Sequence, residues 1–154
     1  MLTDPTALCG TGAARHCTQS MSPLRTFIVE DSAIILDNLV ATLEELADVK
    51  VVGSVPDESG AVKWIRDGGQ DLDLMIIDIF LKSGSGLGVL RAAQDAGLTV
   101  RRVVLTNYAT PDIRKRCAAL GADRVFDKSG ELEDLIDYCG RIADGTASVP
   151  GSLR

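Results

Sequence analysis

Five short apolar runs, separated by stretches with helical periodicity, constrain the fold of this chain more than any other feature. Most of the runs are continuously apolar rather than alternating, as expected of strands that are covered on both faces. Short strands that alternate with helices predict βα units and one doubly wound α/β domain with a parallel sheet. The predicted strands are Thr26–Val29, Val51–Val55, Leu72–Ile77, Val103–Leu105 and Arg124–Phe126.

The stretches between these runs carry apolar stripes at the spacing of an amphipathic helix. Thr110 and Pro111 are typical of an N-cap and a first helical position, and Gly121 is typical of a helix end. Ser129 is predicted to cap the last helix. The stripes are Ile35, Leu39, Leu43 and Leu46; Ala61, Val62, Trp64 and Ile65; Val89, Leu90 and Ala93; Ile113, Cys117 and Leu120; and Leu132, Leu135, Ile136, Cys139 and Ile142.

The length of 154 residues fits one domain with its own core. Residues 1–23 are rich in Thr, Gly, Ala and Ser without a sustained period, so we expect a disordered N-terminal arm. The folded domain is predicted to span residues 24–143, and residues 144–154 to form a flexible tail.

The four cysteines show neither a Cys-x-x-Cys spacing nor a disulfide pattern. Cys9, His16 and Cys17 lie together in the arm, but no fourth ligand for a closed zinc site is in view. We therefore expect free thiols there. Cys117 and Cys139 fall on apolar helix faces and are predicted to be small core residues.

Charge and hydropathy exclude several classes of function. The net charge of −6 argues against DNA binding, because phosphate backbones are bound by clustered Lys and Arg. No apolar run approaches the roughly 20 residues that span a bilayer, and residues 1–24 contain no secretory h-region. The sequence predicts a cytoplasmic protein that does not bind a membrane.

Polar side chains follow four of the predicted strands within two residues. Glu30 and Asp31 come after the first strand, Asp78 after the third, Thr106 after the fourth and Lys128 after the fifth. The carboxyl ends of parallel strands meet at one edge of the sheet, where ligands bind. Crowded carboxylates suit Mg²⁺, and a carboxylate beside the metal can attack a phosphoryl group. The sequence therefore predicts a phosphoryl-transfer site at this edge.

The segments around these residues resemble the response regulator receiver family of two-component systems. They are Phe27–Ser32, Leu74–Asp78, Gly86-Leu87, Val104–Thr106 and Gly121–Lys128, and the resemblance covers about residues 24–143. It implies a flavodoxin-like (βα)5 fold with the strand order 2-1-3-4-5. It also implies a regulator that is not an enzyme acting on outside substrates.

The resemblance assigns a role to each residue of the site. Asp78 matches the phospho-acceptor, and Glu30 and Asp31 match the acidic pair that binds Mg²⁺. The backbone carbonyl of Phe80 would be a further metal ligand. The residues that match the phosphoryl-binding hydroxyl and lysine are Thr106 and Lys128. The implied phosphodonor is a sensor histidine kinase or a histidine phosphotransfer protein, and the output would pass to an unknown protein target.

The chain departs from the family pattern at positions that affect output and lifetime. Val125 stands where the family usually has an aromatic switch residue, and Lys82 and Ser129 replace common prolines. Phe80 and Tyr108 occupy the two positions that flank the approach of water to the acceptor. We expect these two aromatic side chains to slow dephosphorylation, and Tyr108 to respond to the phosphoryl group in place of Val125. The glycine-rich segment that follows Leu81 resembles that of single-domain receivers.

Three alternatives remain open from the residues. Gly84–Gly88 could serve as a nucleotide phosphate loop, although Val89 breaks the Gly-x-Gly-x-x-Gly pattern and the preceding strand is the third. An aspartate-nucleophile phosphatase would need an acid at position 80, where Phe80 cannot transfer a proton. The third alternative is a scaffold with this fold and no phosphorylation.

A homodimer is a further hypothesis. The predicted fourth helix is basic and the fifth is acidic, and opposite charges on neighbouring surfaces suit a two-fold interface. The basic residues are Arg114, Lys115 and Arg116, and the acidic ones are Glu131, Glu133, Asp134 and Asp137.

Overall fold

A computed structural model of the chain describes residues 23–67 and 71–143. Within these residues five strands alternate with five helices. In chain order they are β1 Leu24–Val29, α1 Ala33–Leu46, β2 Val49–Val55, α2 Glu58–Arg66, β3 Leu74–Ile77, α3 Gly86–Asp95, β4 Arg101–Thr106, α4 Pro111–Ala119, β5 Arg124–Asp127 and α5 Leu132–Ala143. Most of the N-terminal arm, including Cys9, His16 and Cys17, and the C-terminal tail lie outside the described residues.

The strands form one parallel sheet with the order β2-β1-β3-β4-β5. This arrangement confirms the predicted doubly wound fold and its strand order. The bounds differ by one or two residues from those predicted at the ends of most strands. β4, for example, begins at Arg101, because backbone pairing with Leu74 in β3 continues past the apolar run.

Each face of the sheet is covered by helices, and the two cores are separated by the sheet itself. α1 and α5 cover one face, where Leu43 and Leu135 are fully buried. α2, α3 and α4 cover the other face, which receives Val89, Leu90 and Cys117. Successive residues of β3 point alternately into the two cores, and all four are at most 1% exposed. Burying one such Ile or Leu side chain contributes about 2 kcal/mol, so β3 anchors the centre of the sheet.

Side-chain caps begin the first four helices. The hydroxyls of Ser32, Ser85 and Thr110 and the carboxylate of Asp57 each accept a hydrogen bond from a backbone amide in the first turn. Each cap satisfies a donor that the helix itself leaves unpaired. The predicted cap at Thr110, with Pro111 next to it, is confirmed.

The prediction that Ser129 caps the last helix is wrong. α5 begins at Leu132, and both the hydroxyl and the amide of Ser129 donate to Oδ1 of Asp127, at 2.5 and 2.8 Å. A serine hydroxyl can donate to a carboxylate two residues away instead of accepting from a helix amide, and here it donates to Asp127. These hydrogen bonds lower the pKa of the Asp127 carboxyl.

The apolar stripe predicted for α1 is also narrower than expected. Leu39 and Leu43 are buried, but Ile35 is 38% exposed and Leu46 is 62% exposed.

The two predicted core cysteines, Cys117 and Cys139, are fully buried free thiols. Burial raises the pKa of Cys139 to about 12, so this thiol stays protonated at neutral pH. No helix among the described residues is long and apolar enough to cross a membrane.

Candidate functional site

The five predicted site residues meet at the carboxyl edge of the sheet. Each follows or ends a strand whose neighbours hold it in register, and β1 and β3 pair from Thr26–Leu74 to Val29–Ile77. Glu30, Asp78 and Thr106 are 4%, 6% and 0% exposed. Such burial of polar groups is costly unless they are paired, so their partners decide what the site can do.

Lys128 supplies the partner for two of the buried carboxylates. Its Nζ lies 2.8 Å from Oε1 of Glu30 and 2.9 Å from Oδ2 of Asp78. The other oxygen of Asp78, Oδ1, accepts a hydrogen bond from the amide of Phe80 at 3.2 Å. The backbone amide of Lys128 donates to the carbonyl of Thr106, which fixes the loop that carries the ammonium group.

The pKa shifts follow from this geometry. Burial raises the pKa of Asp78 above its usual value, and Glu30 adds repulsion, although the hydrogen bond and the attraction of Lys128 act in the opposite direction. For Lys128, burial acts to lower the pKa, but the hydrogen bonds with Glu30 and Asp78 outweigh it and raise the pKa. The ammonium of Lys128 is therefore held in its charged form, whereas burial still disfavours the ionised form of Asp78.

Three carboxylates surround one ammonium group at this edge. Oxygen atoms of Glu30, Asp31 and Asp78 all lie within 4.8 Å of one another. With all three ionised, Lys128 leaves an excess of two negative charges. A hard divalent cation takes carboxylate oxygens as ligands and would offset this charge, so the donor set fits Mg²⁺.

The loop between β3 and α3 folds tightly against Asp78. Phe80 and Ser85 form an antiparallel bridge, and the amide of Gly86 donates to the carbonyl of Ile79 at 2.9 Å. A Cβ atom at Gly86 would lie 2.2 Å from the carbonyl oxygen of Asp78, so only glycine allows this approach. The amide of Lys82 donates to Oδ2 of Asp31 at 2.5 Å, which ties the loop to the acidic pair.

Glu58, at the start of α2, also contacts this loop and was missed by the sequence reasoning. Its Oε1 accepts the amide of Ser85 at 2.9 Å, and its own amide donates to the carbonyl of Ser83. A carboxylate at this place repels phosphate and occupies an amide that a phosphate would need. This contact disfavours the nucleotide-loop alternative for Gly84–Gly88. In the sequence, the close spacing of Gly84, Gly86 and Gly88 was the signal that a side chain packs against this loop.

The two aromatic side chains predicted to flank the acceptor contact each other. The rings of Phe80 and Tyr108 are edge to face with centroids 5.1 Å apart, and they are 50% and 61% exposed as residues. The amide of Tyr108 donates to Oγ1 of Thr106, and the amide of Phe80 donates to Asp78. The contact between the two rings thus joins the loop that follows Asp78 to the loop that follows Thr106.

Val125, where the family pattern has an aromatic residue, is held by Arg114. The guanidinium of Arg114 donates to the carbonyls of Ala109 and Val125 and forms a 3.1 Å ion pair with Glu131. Because Arg114 and Glu131 pair within one chain, fewer opposite charges remain for the proposed two-fold interface. The homodimer stays a prediction.

Comparison with protein families gives one match over most of the chain. A family model described as the response regulator receiver domain matches residues 26–139. Among curated proteins, the chain is 30% identical over 122 residues to the uncharacterized transcriptional regulatory protein YvfU of Bacillus subtilis, covering 79% of this chain and 60% of YvfU. It is 26% identical over 125 residues to a protein-glutamate methylesterase/protein-glutamine glutaminase of Myxococcus xanthus, covering 73% of this chain and 35% of that protein.

Solved structures show the same fold. The signal receiver domain of NarL from Mycobacterium tuberculosis superimposes with a TM-score of 0.70 at 20% identity, over 80% of this chain and 98% of that domain. The chain spans less than two thirds of the length of the two curated relatives. The transcriptional regulatory and methylesterase/glutaminase functions in their names belong to longer proteins, of which this chain matches only a part.

Proposed function

Because the chain belongs to the response regulator receiver family of two-component systems, we propose that it accepts a phosphoryl group on Asp78 with Mg²⁺ bound beside it. The observation that carries the proposal is the double contact of Lys128 with Glu30 and Asp78 next to Asp31. The phosphodonor would be a sensor histidine kinase or a histidine phosphotransfer protein. The output would pass through protein contacts.

The proposed reaction moves one phosphoryl group between two nucleophiles. An oxygen of the Asp78 carboxylate attacks phosphorus, and the bond between phosphorus and the imidazole nitrogen of the donor breaks, with its electron pair going to that nitrogen. Lys128 would neutralise the phosphoryl oxygens, and the Thr106 hydroxyl would donate a hydrogen bond to one of them. Position and charge supply most of the rate effect in such a transfer.

Asp31, Asp78 and the Phe80 carbonyl would hold the metal, with Glu30 acting mainly through a water molecule. Bound Mg²⁺ supplies positive charge that offsets the carboxylates and the phosphoryl group as they come together. Glu30 is assigned the indirect role; its Oε1 accepts from Lys128, and its Oε2 accepts the amide of Ser32 at 3.0 Å. Asp31, which is half-buried, has only the Lys82 amide on Oδ2.

The metal assignment predicts that Asp31→Ala weakens Mg²⁺ binding at least about tenfold, because a direct ligand is lost. Calorimetric titration measures the affinity, and mass spectrometry after treatment with acetyl phosphate and Mg²⁺ measures phosphoryl uptake. The wild-type protein should gain one phosphoryl group, on the peptide that contains Asp78, and a chelator should prevent it. Asp37→Ala, an exposed acid on α1, is the control. Undiminished affinity in Asp31→Ala would refute the assignment.

A second prediction concerns the lifetime of the phosphorylated state. The Phe80 and Tyr108 rings offer no carboxylate or amide to orient a water molecule for attack on the acyl phosphate. The double variant Phe80→Asn with Tyr108→Glu should lose phosphate about tenfold faster. The new carboxylate and amide can orient the attacking water, although less well than a fully positioned general base would. Decay of phosphorylated protein after removal of the donor measures this rate. Asn107→Glu adds the same charge one position earlier and should change it little. Decay that is unchanged or slower in the double variant contradicts the gating role.

A further inference from the structure

The loop between β3 and α3 is held by carboxylates on two sides. On one side the Lys82 amide donates to Asp31, which belongs to the proposed metal site. On the other side the Ser85 amide donates to Oε1 of Glu58 at 2.9 Å. Glu58 does not belong to the acidic cluster of Glu30, Asp31 and Asp78, and the proposed chemistry gives it no role.

Two glycines leave the space that the Glu58 side chain fills. A Cβ atom at Gly84 would lie 2.4 Å from the Cβ of Glu58, and one at Gly88 would lie 2.2 Å from Oε2. Gly84 also has a φ of +85°, which disfavours other residues. The glycine spacing of this loop is therefore matched to a carboxylate that packs across it.

A short series of backbone contacts leads from Glu58 to Asp78. Ser85, which Glu58 holds, bridges to Phe80, and the Phe80 amide donates to Oδ1 of Asp78 at 3.2 Å. Beside this bridge, Gly86 donates to the carbonyl of Ile79, and its Cα packs against the backbone of Asp78. A shift of Ser85 would therefore move the backbone of Phe80, which is the proposed carbonyl ligand.

We propose that Glu58 is a positioning residue for the acceptor site: it fixes the loop through Ser85 and so sets the affinity of the site for Mg²⁺. The inference rests on the proposed function, since it concerns the same metal site. It requires a hydrogen-bond acceptor at position 58 and does not require a charge there. This distinction separates it from a general electrostatic effect of one more acid near a cation.

The test compares Glu58→Ala with Glu58→Gln by calorimetric titration of Mg²⁺. Glu58→Ala should weaken binding about fivefold, the factor that corresponds to one net hydrogen bond. Glu58→Gln keeps a carbonyl oxygen for the Ser85 amide and should bind Mg²⁺ nearly as the wild type does. Hydrogen exchange of the metal-free protein supplies an independent readout: the Ser85 amide should exchange faster in Glu58→Ala and remain protected in Glu58→Gln.

Gly88→Ala provides a second route to the same defect. The three atoms nearest to the added methyl group all belong to Glu58, so the substitution should displace the carboxylate and weaken Mg²⁺ binding as Glu58→Ala does. In the Glu58→Ala background the space is open, and Gly88→Ala should cause no further loss. Additive losses in the double variant would overturn the proposal. Asp67→Ala, at the other end of α2 and paired with Lys63, is the control for loss of an acid from this helix.

The remaining outcomes are also decisive. Equal losses in Glu58→Gln and Glu58→Ala would assign the effect to charge, and unchanged affinity in both would remove Glu58 from the site; either result overturns the inference. A lower melting temperature with unchanged Mg²⁺ affinity would leave Glu58 a purely structural role and overturn it as well. If the wild-type protein itself binds no Mg²⁺, the proposed function fails, and this outcome is distinct from the others.

Discussion

Asp78→Asn is expected to lower phosphoryl uptake from acetyl phosphate more than about a hundredfold, because the amide oxygen is a far weaker nucleophile than a carboxylate. The substitution keeps the size of the side chain, and its oxygen can still accept the Phe80 amide. Asp78 follows β3, the middle strand of the sheet, at the position that matches the phospho-acceptor of the family, and its Oδ2 contacts Lys128. Glu30, the other carboxylate that Lys128 contacts, follows β1 and matches a metal-binding acid of the family instead of the acceptor.

Mass spectrometry of intact and digested protein measures this loss. Asp95→Asn, an exposed residue at the end of α3, should take up phosphate like the wild type and controls for changes of charge. The melting temperature of Asp78→Asn should not fall, because burial disfavours the ionised carboxylate that the substitution removes. Label that persists in Asp78→Asn at the level of the wild type means that another residue is the acceptor.

Lys128→Met is expected to lower the free energy of unfolding in the presence of a chelator by about 3 kcal/mol, because two buried carboxylates lose their common partner. Glu30 and Asp78 have side chains that are 3% and 8% exposed, so solvent cannot replace the ammonium group. Methionine keeps most of the length of the side chain and lacks its charge, so the loss measures charge more than packing. Phosphoryl uptake should fall as well, since the positive charge that faces the phosphoryl oxygens is gone.

Urea unfolding with and without Mg²⁺ checks the stability part. A cation that binds the folded state stabilises it by mass action and offsets the same carboxylates, so Mg²⁺ should recover part of the loss. Lys63→Met is the control, because Lys63 pairs with Asp67 on an exposed surface where ion pairs contribute little. A loss for Lys128→Met that is equally large with Mg²⁺ would show that the ammonium and the cation do not act on the same carboxylates.

Many features of the fold could be predicted from local patterns. The continuously apolar run that ends at Ile77 identifies a strand covered on both faces, because only such a strand buries every side chain. The polar residues after the runs could be placed at one edge, since all strands of a parallel sheet end on the same side. Local patterns also predict the N-cap at Thr110, but they did not predict those at Ser32 and Ser85.

The failures of the sequence reasoning concern competition between partners. Ser129 had two kinds of partner in reach, the amide donors of a helix start and the carboxylate acceptor of Asp127, and the sequence does not rank them. Ile35 and Leu46 continue the stripe of α1, but both are exposed in the folded domain. Periodicity describes one element alone, whereas burial depends on the elements that lie against it.

The sequence by itself determined the alternation of strands and helices, the edge where the site lies and the chemical types of its residues, because these depend on short-range periodicity and on chain direction. Only the tertiary structure decided which of these groups touch. Lys128 reaches Glu30 across 98 positions of the chain, and Glu58 reaches Ser85 across 27. Such contacts depend on how sheet twist and helix packing place separate loops to within an ångström, and no local pattern encodes that distance.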